Sequence, residues 1–407
     1  MRRRAGTARK LVGMTPVLPD LLNIDATLSD TERDIRTATR HLVDDLVRPH
    51  IARWYADGRI PARQLAAQFG ESGLLGMHLD GYGCAGASAV EYGLACLELE
   101  AGDSGVRSLV SVQGSLAMYP IWKYGSDEQK DRWLPGMAAG ELLGCFGLTE
   151  PDSGSDPASM TTRATRTADG FRLDGVKMWI TNGTVADVAV IWAKTTDEDS
   201  GRDVVRGFLV PTGTPGFSAR EVPAKLSLRA SATAEIVLHG VEVPETAILP
   251  HVTGLRGPLG CLNQARAGIL FGALGAARDA LASALDYATT RIQFGRPLAG
   301  FQLTQAKLAD MTTAWNSAYL MALHIGRAVD AGTATPQAIS MGKLHSTRTA
   351  LDIARTSRTI LGASGITGDY PVMRHAANLE TVLTYEGTAE IHQLILGKAL
   401  TGFDAFA

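Results

Sequence analysis

Apolar residues recur at every third or fourth position from about residue 29 to residue 143, the spacing of helices that bury one face. Ser29-Asp30-Thr31-Glu32 opens this stretch with a serine and a glutamate three residues on, which predicts a capping box. Turn residues interrupt it at Asp57-Gly58 and over 81–86, and residues 90–99 read as a further helix. Near Cys145 the texture changes. Phe171-Arg172-Leu173 and then 188–192, 207–210 and 234–238 are short β-type runs. Asp169-Gly170, Asp174-Gly175, Thr212-Gly213 and Pro215-Gly216 punctuate them at strand spacing, which predicts an antiparallel barrel or sandwich over 145–250. From residue 255 the helical period returns and lasts to residue 400. Leu308, Met311, Trp315, Ala318 and Ala322 form one face of a long amphipathic helix, and Gly254, Gly257 and Gly260 mark the boundary with the strands. Helices, then strands, then helices predict an α+β protein rather than the alternating β-α order of a doubly wound sheet. The expected units are a flexible basic leader (1–27), an N-terminal helical domain (28–144), a middle β-domain (145–250) and a C-terminal helical region (251–407).

Composition narrows the class. With 407 residues, 45% of them hydrophobic, the chain can bury more than one core. The net charge is 39 minus 42, or −3, which gives no bulk attraction to a nucleic acid. Cys84, Cys96, Cys145 and Cys261 lie far apart without a Cys-x-x-Cys, so neither a zinc knuckle nor a disulfide framework is expected. Reduced thiols in a cytoplasmic setting fit that usage. No run of 18 apolar residues occurs, so no membrane span is expected. The first 19 residues are basic and free of acids, without the apolar block of a secretory signal; a leader, or a true start at Met14, fits them.

Several motifs carry possible chemistry. Gly81-Tyr82-Gly83-Cys84-Ala85-Gly86 has dinucleotide-site spacing, but no strand precedes it and no βαβ unit surrounds it, so it reads as a link between helices. No G-x-S-x-G, Walker loop or H-E-x-x-H is present. In Thr384-Tyr385-Glu386-Gly387-Thr388 a carboxylate is followed at once by glycine, poor sequence for a helix by roughly 1 kcal/mol. Two readings stand: a solvated glutamate near a helix end, or a base beside backbone kept bare for close approach of a substrate. The run from Phe146 through Leu148, Thr149, Gly154 and Ser155 gathers hydroxyls and glycines at the first helix-to-strand junction. It suits a flavin edge or phosphates, and equally a plain solvent loop. Trp179, Ile180 and Thr181 end a strand with an aromatic and a hydroxyl that could wall a flat ring or fill a core. Arg291 and Phe294 stand at a helix break, compatible with a phosphate or adenine contact or with a salt bridge.

Taken together, the stretch Leu97-Glu98-Leu99-Glu100 with Asp103-Ser104-Gly105-Val106-Arg107-Ser108, residues 144–157, Ser227-Leu228-Arg229-Ala230-Ser231-Ala232-Thr233 and residues 384–392 resemble the acyl-CoA dehydrogenase family. The likeness covers residues 28–407 and is greatest to the glutaryl-CoA dehydrogenases. It implies a helical domain, a middle antiparallel β-barrel and a C-terminal four-helix bundle, assembled as a homotetramer with one FAD per subunit. It implies that Glu386 takes the α-proton while the β-hydrogen leaves as hydride to the flavin. Phe146, Leu148, Thr149, Gly154, Ser155, Trp179, Ile180 and Thr181 would line the flavin ring, with Thr388 touching it. Arg291, Phe294, Gln302, Leu361, Gly362 and Gly365 would hold the ADP half across a subunit boundary. Leu259, Asn263, Arg266 and Ser155 would lie along the acyl-CoA.

The physical logic agrees with these roles. An α-C–H is a weak acid, so fixed donors must meet the thioester oxygen as charge develops on it. The Glu386 backbone N–H can do so if Gly387 leaves the approach open. The resemblance gives Arg107, with Ser108 beside it, the distal carboxylate of a glutaryl chain; a lone guanidinium in an apolar pocket would be costly without a carboxylate partner. It places Glu100 and Tyr385 nearby, where they could handle the proton delivered after CO2 leaves. Ala265 stands where some relatives carry the carboxylate, so Glu386 has no rival. The expected reaction is oxidation and decarboxylation of glutaryl-CoA to crotonyl-CoA, with an electron-transfer flavoprotein as acceptor. The alternatives are a short-chain acyl-CoA or acyl-carrier-protein dehydrogenase or oxidase, and a DNA-binding flavoprotein. Residues 394–407, with one lysine and one aspartate, lack the basic patch the last would need.

Overall fold

The computed structural model describes residues 18–198 and 200–405. The N-terminal part packs seven helices: α1 (Asp30–Leu46), α2 (Ile51–Asp57), α3 (Ala62–Glu71), α4 (Ala89–Gly102), α5 (Ser104–Ser111), α6 (Tyr119–Tyr124) and α7 (Asp127–Ala138). The expected capping box is present: Glu32 N donates to Ser29 Oγ at 3.2 Å and Ser29 N donates to the Glu32 carboxylate at 2.8 Å. The glycine-rich link forms a two-stranded hairpin, β1 (Asp80–Gly81) with β2 (Cys84–Ala85), between α3 and α4, with no βαβ unit around it. Residues 112–118 between α5 and α6 wind as a π-helix, a form often found at functional sites.

The leader expectation needs correction at its end. Ile24–Thr27 form a 3-10 turn, Ile24 is buried, and Asp25 pairs with Arg36 at 2.5 Å, so the packed chain begins before residue 28. Residues 1–17 of the expected leader lie outside the described residues.

The middle part is a seven-stranded sheet of β3 (Gly144–Gly147), β4 (Arg163–Arg166), β5 (Gly170–Thr181), β6 (Val188–Thr196), β7 (Asp203–Pro211), β8 (Phe217–Glu221) and β9 (Thr233–Pro244). Their order is β3-β6-β4-β5-β9-β8, with β7 on β6. The sheet is not purely antiparallel: β3 runs parallel to β6 over four residue pairs, and β4 meets β6 in parallel at Arg163–Lys194. The β5–β9 ladder is interrupted between Lys177 and Ile180, leaving Met178 and Trp179 out of register.

The C-terminal part holds α8 (Arg256–Thr290), a small hairpin of β10 (Ile292–Gln293) and β11 (Arg296–Pro297), α9 (Gln302–Asp330), α10 (Pro336–Leu361), α11 (Val372–Thr384) and α12 (Ala389–Thr401). Gly257 and Gly260 belong to the first turns of α8, so of the three boundary glycines only Gly254, at φ 82°, makes the turn. By length and composition α8 could cross a membrane, but almost all of its apolar stretch is buried inside the protein, as in a core helix. Its alanine-rich faces let α4 and α10 pack closely on either side, which makes it the spine of the molecule.

Candidate active site

The helical pattern breaks where the glutamate-glycine pair predicts a break. α11 ends at Thr384, Glu386 sits at φ 53° and Gly387 at φ 102°, and Thr388 caps α12 by accepting from Ile391 N at 3.3 Å. A left-handed glutamate is uncommon and costs roughly 1 kcal/mol or more, so its surroundings must hold it there. They do. Arg266 Nε donates to the Glu386 carbonyl at 2.8 Å, and Lys343 Nζ donates to the carbonyls of both Tyr385 and Gly387, the latter at 2.6 Å. A Cβ on Gly387 would come within 3.0 Å of His392 Nε2 and 3.1 Å of Arg266 Nη2, so a side chain there would crowd both neighbours as well as strain the backbone at its φ.

The Glu386 carboxyl is surrounded by protein on most sides, and its Oε2 has no hydrogen-bond partner among the described residues. Burial raises its proton affinity above that of an ordinary glutamate, and the nearby cations of Arg107, Lys343 and Arg266 only partly offset the rise. Beside it lies a buried polar chain. Arg107, 1% exposed, donates from Nε to Glu100 Oε2 at 2.7 Å and from Nη2 to the Tyr385 hydroxyl, while Ser104 Oγ donates to the other Glu100 oxygen at 2.9 Å. The reading of Arg107 as a charge lacking a partner is thereby corrected: Glu100 already neutralises it. Among the described residues its Nη1 donates no hydrogen bond, and the hydroxyl of the next residue, the buried Ser108, has no partner. Glu100 thus accepts from both Arg107 and Ser104.

The remaining expected residues divide into groups. Asn263 accepts from Arg266 Nη1 at 3.0 Å, so it supports the Glu386 clamp; Leu259 is exposed near the start of α8. Phe146 packs edge-on against Trp192, 6.3 Å between ring centres, Leu148 joins the same core, and Ile180 packs among the sheet residues. Those three side chains point into cores and leave only backbone for a ring. Thr149, Gly154, Ser155 and Thr181 keep accessible surface. Trp179, at φ 65° on the β5 irregularity, is 58% exposed, and Met178 N ties its strand to the Thr149 carbonyl at 2.8 Å. Beneath that loop Lys177 Nζ donates to the Leu148 carbonyl at 3.1 Å and to Glu150 at 2.9 Å. α8 joins the two halves: Ala265 packs in the core with Phe146 and Leu148, and the next residue, Arg266, holds Glu386.

An exposed indole beside a hydroxyl-bearing loop is a set that fits a flat heteroaromatic cofactor, and α8 links the core under that loop to the turn that carries the Glu386 carboxyl. Arg291, Phe294, Gln302 and Gly362 lie elsewhere. They are exposed at the far end of α8, where Tyr287 and Ser364 hydroxyls meet at 3.4 Å and Leu361 and Gly365 are buried in the bundle.

Family models for the N-terminal, middle and C-terminal domains of acyl-CoA dehydrogenase match residues 29–141, 145–241 and 253–401. The chain belongs to the acyl-CoA dehydrogenase family. It is an oxidoreductase that uses FAD to oxidise acyl-CoA thioesters. A glutaryl-CoA dehydrogenase structure from Mycobacterium smegmatis is 64% identical with a TM-score of 0.93, covering 95% of this chain and 99% of that one. A second, solved in complex with FADH2, is 55% identical with a TM-score of 0.93 over 97% of this chain and 100% of its own. An acyl-CoA dehydrogenase of Bacillus subtilis is 38% identical over 341 residues, 83% of this chain and 90% of its own.

Sequence reasoning passed over Lys343 and His392. A signal for Lys343 exists: it shares a helix face with Ser340, Thr347 and Ala350, all small and buried, where a lysine is out of place. His392 is buried with neither ring nitrogen hydrogen-bonded among the described residues, and burial lowers it to about 3, so it stays neutral against Gly387.

Proposed function

We propose that the acyl-CoA oxidised here is glutaryl-CoA, taken on to crotonyl-CoA and CO2. The observation that carries this reading is Arg107, a guanidinium buried beside the Glu386 carboxyl with one donor edge unused. A monocarboxylic acyl chain offers nothing to that edge, whereas the distal carboxylate of a glutaryl chain accepts from it and from the free Ser108 hydroxyl. The high identity to the glutaryl-CoA dehydrogenases of M. smegmatis supports the same substrate.

In this reading Thr149, Trp179 and Thr181 with the backbone of the 146–155 loop hold FAD, which when bound accepts the β-hydrogen as hydride. Glu386 takes the α-proton, and its raised proton affinity suits it to do so near neutral pH. Its backbone N–H meets the thioester oxygen. In the unsaturated product the bond to the distal carboxylate can break with its electrons delocalised toward the thioester. The proton held by Glu386 is then at hand for the carbon left behind. We assign electron-transfer flavoprotein as the acceptor and the cytoplasm as the location, the latter on the unpaired cysteines.

A homotetramer belongs to the proposal. Arg266 lies in α8 and Arg291 caps its end 25 positions on, roughly 37 Å at the rise of a helix. That span is too long for one FAD to contact both sets of residues within one chain, so Arg291, Phe294, Gln302, Leu361, Gly362 and Gly365 would serve a neighbour's cofactor. The substrate assignment is tested by steady-state turnover of glutaryl-CoA against butyryl-CoA. Arg107→Met, made with Glu100→Gln so that no buried carboxylate is stranded, should lower kcat/KM for glutaryl-CoA about 100-fold and for butyryl-CoA only a few-fold. Butyryl-CoA as the better substrate of the native enzyme refutes the assignment.

A further inference from the structure

Three successive carbonyls, those of Tyr385, Glu386 and Gly387, are bound by two buried cations. In a trans peptide unit the C=O and N–H point in opposite directions. The Tyr385 carbonyl faces Lys343, so the N–H of the same unit, which is that of Glu386, faces away from it. The Glu386 carbonyl faces Arg266, which turns the Gly387 N–H away in the same manner. Neither N–H donates to any acceptor among the described residues, whereas the preceding one, of Tyr385, donates to the Thr381 carbonyl at 2.9 Å. Both peptide units flanking the base therefore have a cation at the acceptor end and an unused donor at the other.

A cation on a carbonyl withdraws electron density from the amide nitrogen and strengthens its N–H as a donor, the cooperative effect seen in hydrogen-bond chains. Lys343 sits in an expensive place for this. It is 1% exposed, no carboxylate among the described residues hydrogen-bonds to it, and Arg266 and Arg107 act on it as like charges. Burial brings it down to about 7, with Glu386 as the carboxylate opposing that fall. A helix face of small residues offers no reason of packing to keep a charge there.

We propose that Lys343 is a positioning residue for α-proton abstraction: its ammonium, bound to the Tyr385 carbonyl, aligns and strengthens the Glu386 N–H that receives the thioester oxygen. Arg266 does the same for the Gly387 N–H. The inference rests on the reading of the Glu386 turn as the place where the thioester is held, and is independent of the glutaryl assignment.

The test uses oxidised holoenzyme with crotonyl-CoA carrying 13C at the thioester carbonyl, read by isotope-edited infrared spectroscopy. Binding to native enzyme should lower the C=O stretch relative to free ligand. Lys343→Met should lose more than about half of that shift and lower kcat on butyryl-CoA by about tenfold or more, with crotonyl-CoA affinity changed only about threefold and FAD retained. Lys343→Arg, which keeps the charge, should restore most of the shift. An unchanged stretch in Lys343→Met, no shift in the native enzyme, or Lys343→Arg as deficient as Lys343→Met overturns the proposal. Should Lys343→Met not retain FAD, Lys343→Arg decides alone: shift kept supports it, shift lost refutes it. Better turnover of butyryl- than glutaryl-CoA would sink the substrate assignment and leave these frequencies unaffected.

Discussion

Gly272 on α8 faces the buried Arg107–Glu100 pair from across the site. A Cβ there would collide with Glu100 Oε2 and come within 3.3 Å of Arg107 Nε. Nothing else about the position needs glycine, since its φ is ordinary for a helix. Gly272→Ala should therefore displace the guanidinium without disturbing Glu386, and lower kcat/KM for the dicarboxylic substrate about tenfold while the flavin stays bound. Equal loss on butyryl-CoA would argue against that link. Glu386 and Gly387 were legible in the sequence because a carboxylate and a glycine side by side contradict the helical pattern around them. The Glu100 pairing was not, because residues seven apart on neighbouring helices can face each other or solvent, and only the crossing of α4, α5 and α8 decides. Tyr385 joins them for the same reason, from 278 positions away.

At the scale of elements, the β5 irregularity and the loop before it act as one unit. Lys177, fully buried, ties the Leu148 carbonyl to Glu150, whose carboxylate also accepts from Thr161 N at 2.6 Å and Thr162 N at 2.9 Å. Burial lowers this lysine to about 8, with Glu150 holding it up. Lys177→Met should loosen the 146–155 loop and weaken FAD binding by about tenfold or more. Dialysis against increasing guanidinium, followed by flavin fluorescence, would reveal it; native-like retention of the flavin counts against the loop assignment. The strands were readable from their alternation and turn residues. Their partners were not: β3 pairs in parallel with a strand about 40 residues on, and periodicity within a strand says nothing of which edge it joins. That the side chains of Phe146 and Ile180 turn into cores was hidden for a related reason, since alternate residues of a strand face opposite ways and the sequence does not say which face is the core.

Over the whole molecule, buried ion pairs bind the N-terminal helices to the spine. Glu98 accepts from both guanidinium nitrogens of Arg278, the Nη1 contact at 2.7 Å, and from Arg40 Nη2 at 2.8 Å. Burial works to raise this glutamate, but the charge and hydrogen bonds of Arg278, with those of Arg40, outweigh it and bring it down to about 2. The unfolded chain binds the proton near pH 4.5, so between there and about pH 2 unfolding is favoured by proton uptake. The stability from this pair is complete above that window and lost as pH falls through it, by a few kcal/mol. Denaturant midpoints measured across this range should fall more steeply for the native protein than for Glu98→Gln, which begins less stable because it strands two arginines. Parallel slopes would contradict the assignment. The three-part order of helices, strands and helices was legible throughout, because long runs of one periodicity survive any local error.

The length of α8 has a genetic consequence. If the end bearing Arg291 completes a neighbour's site, two inactive chains with different lesions carry complementary intact halves. Co-expressed Glu386→Gln and Arg291→Ala proteins should form mixed assemblies that recover a fraction of native turnover. Mixing the two after separate purification, without subunit exchange, should recover none.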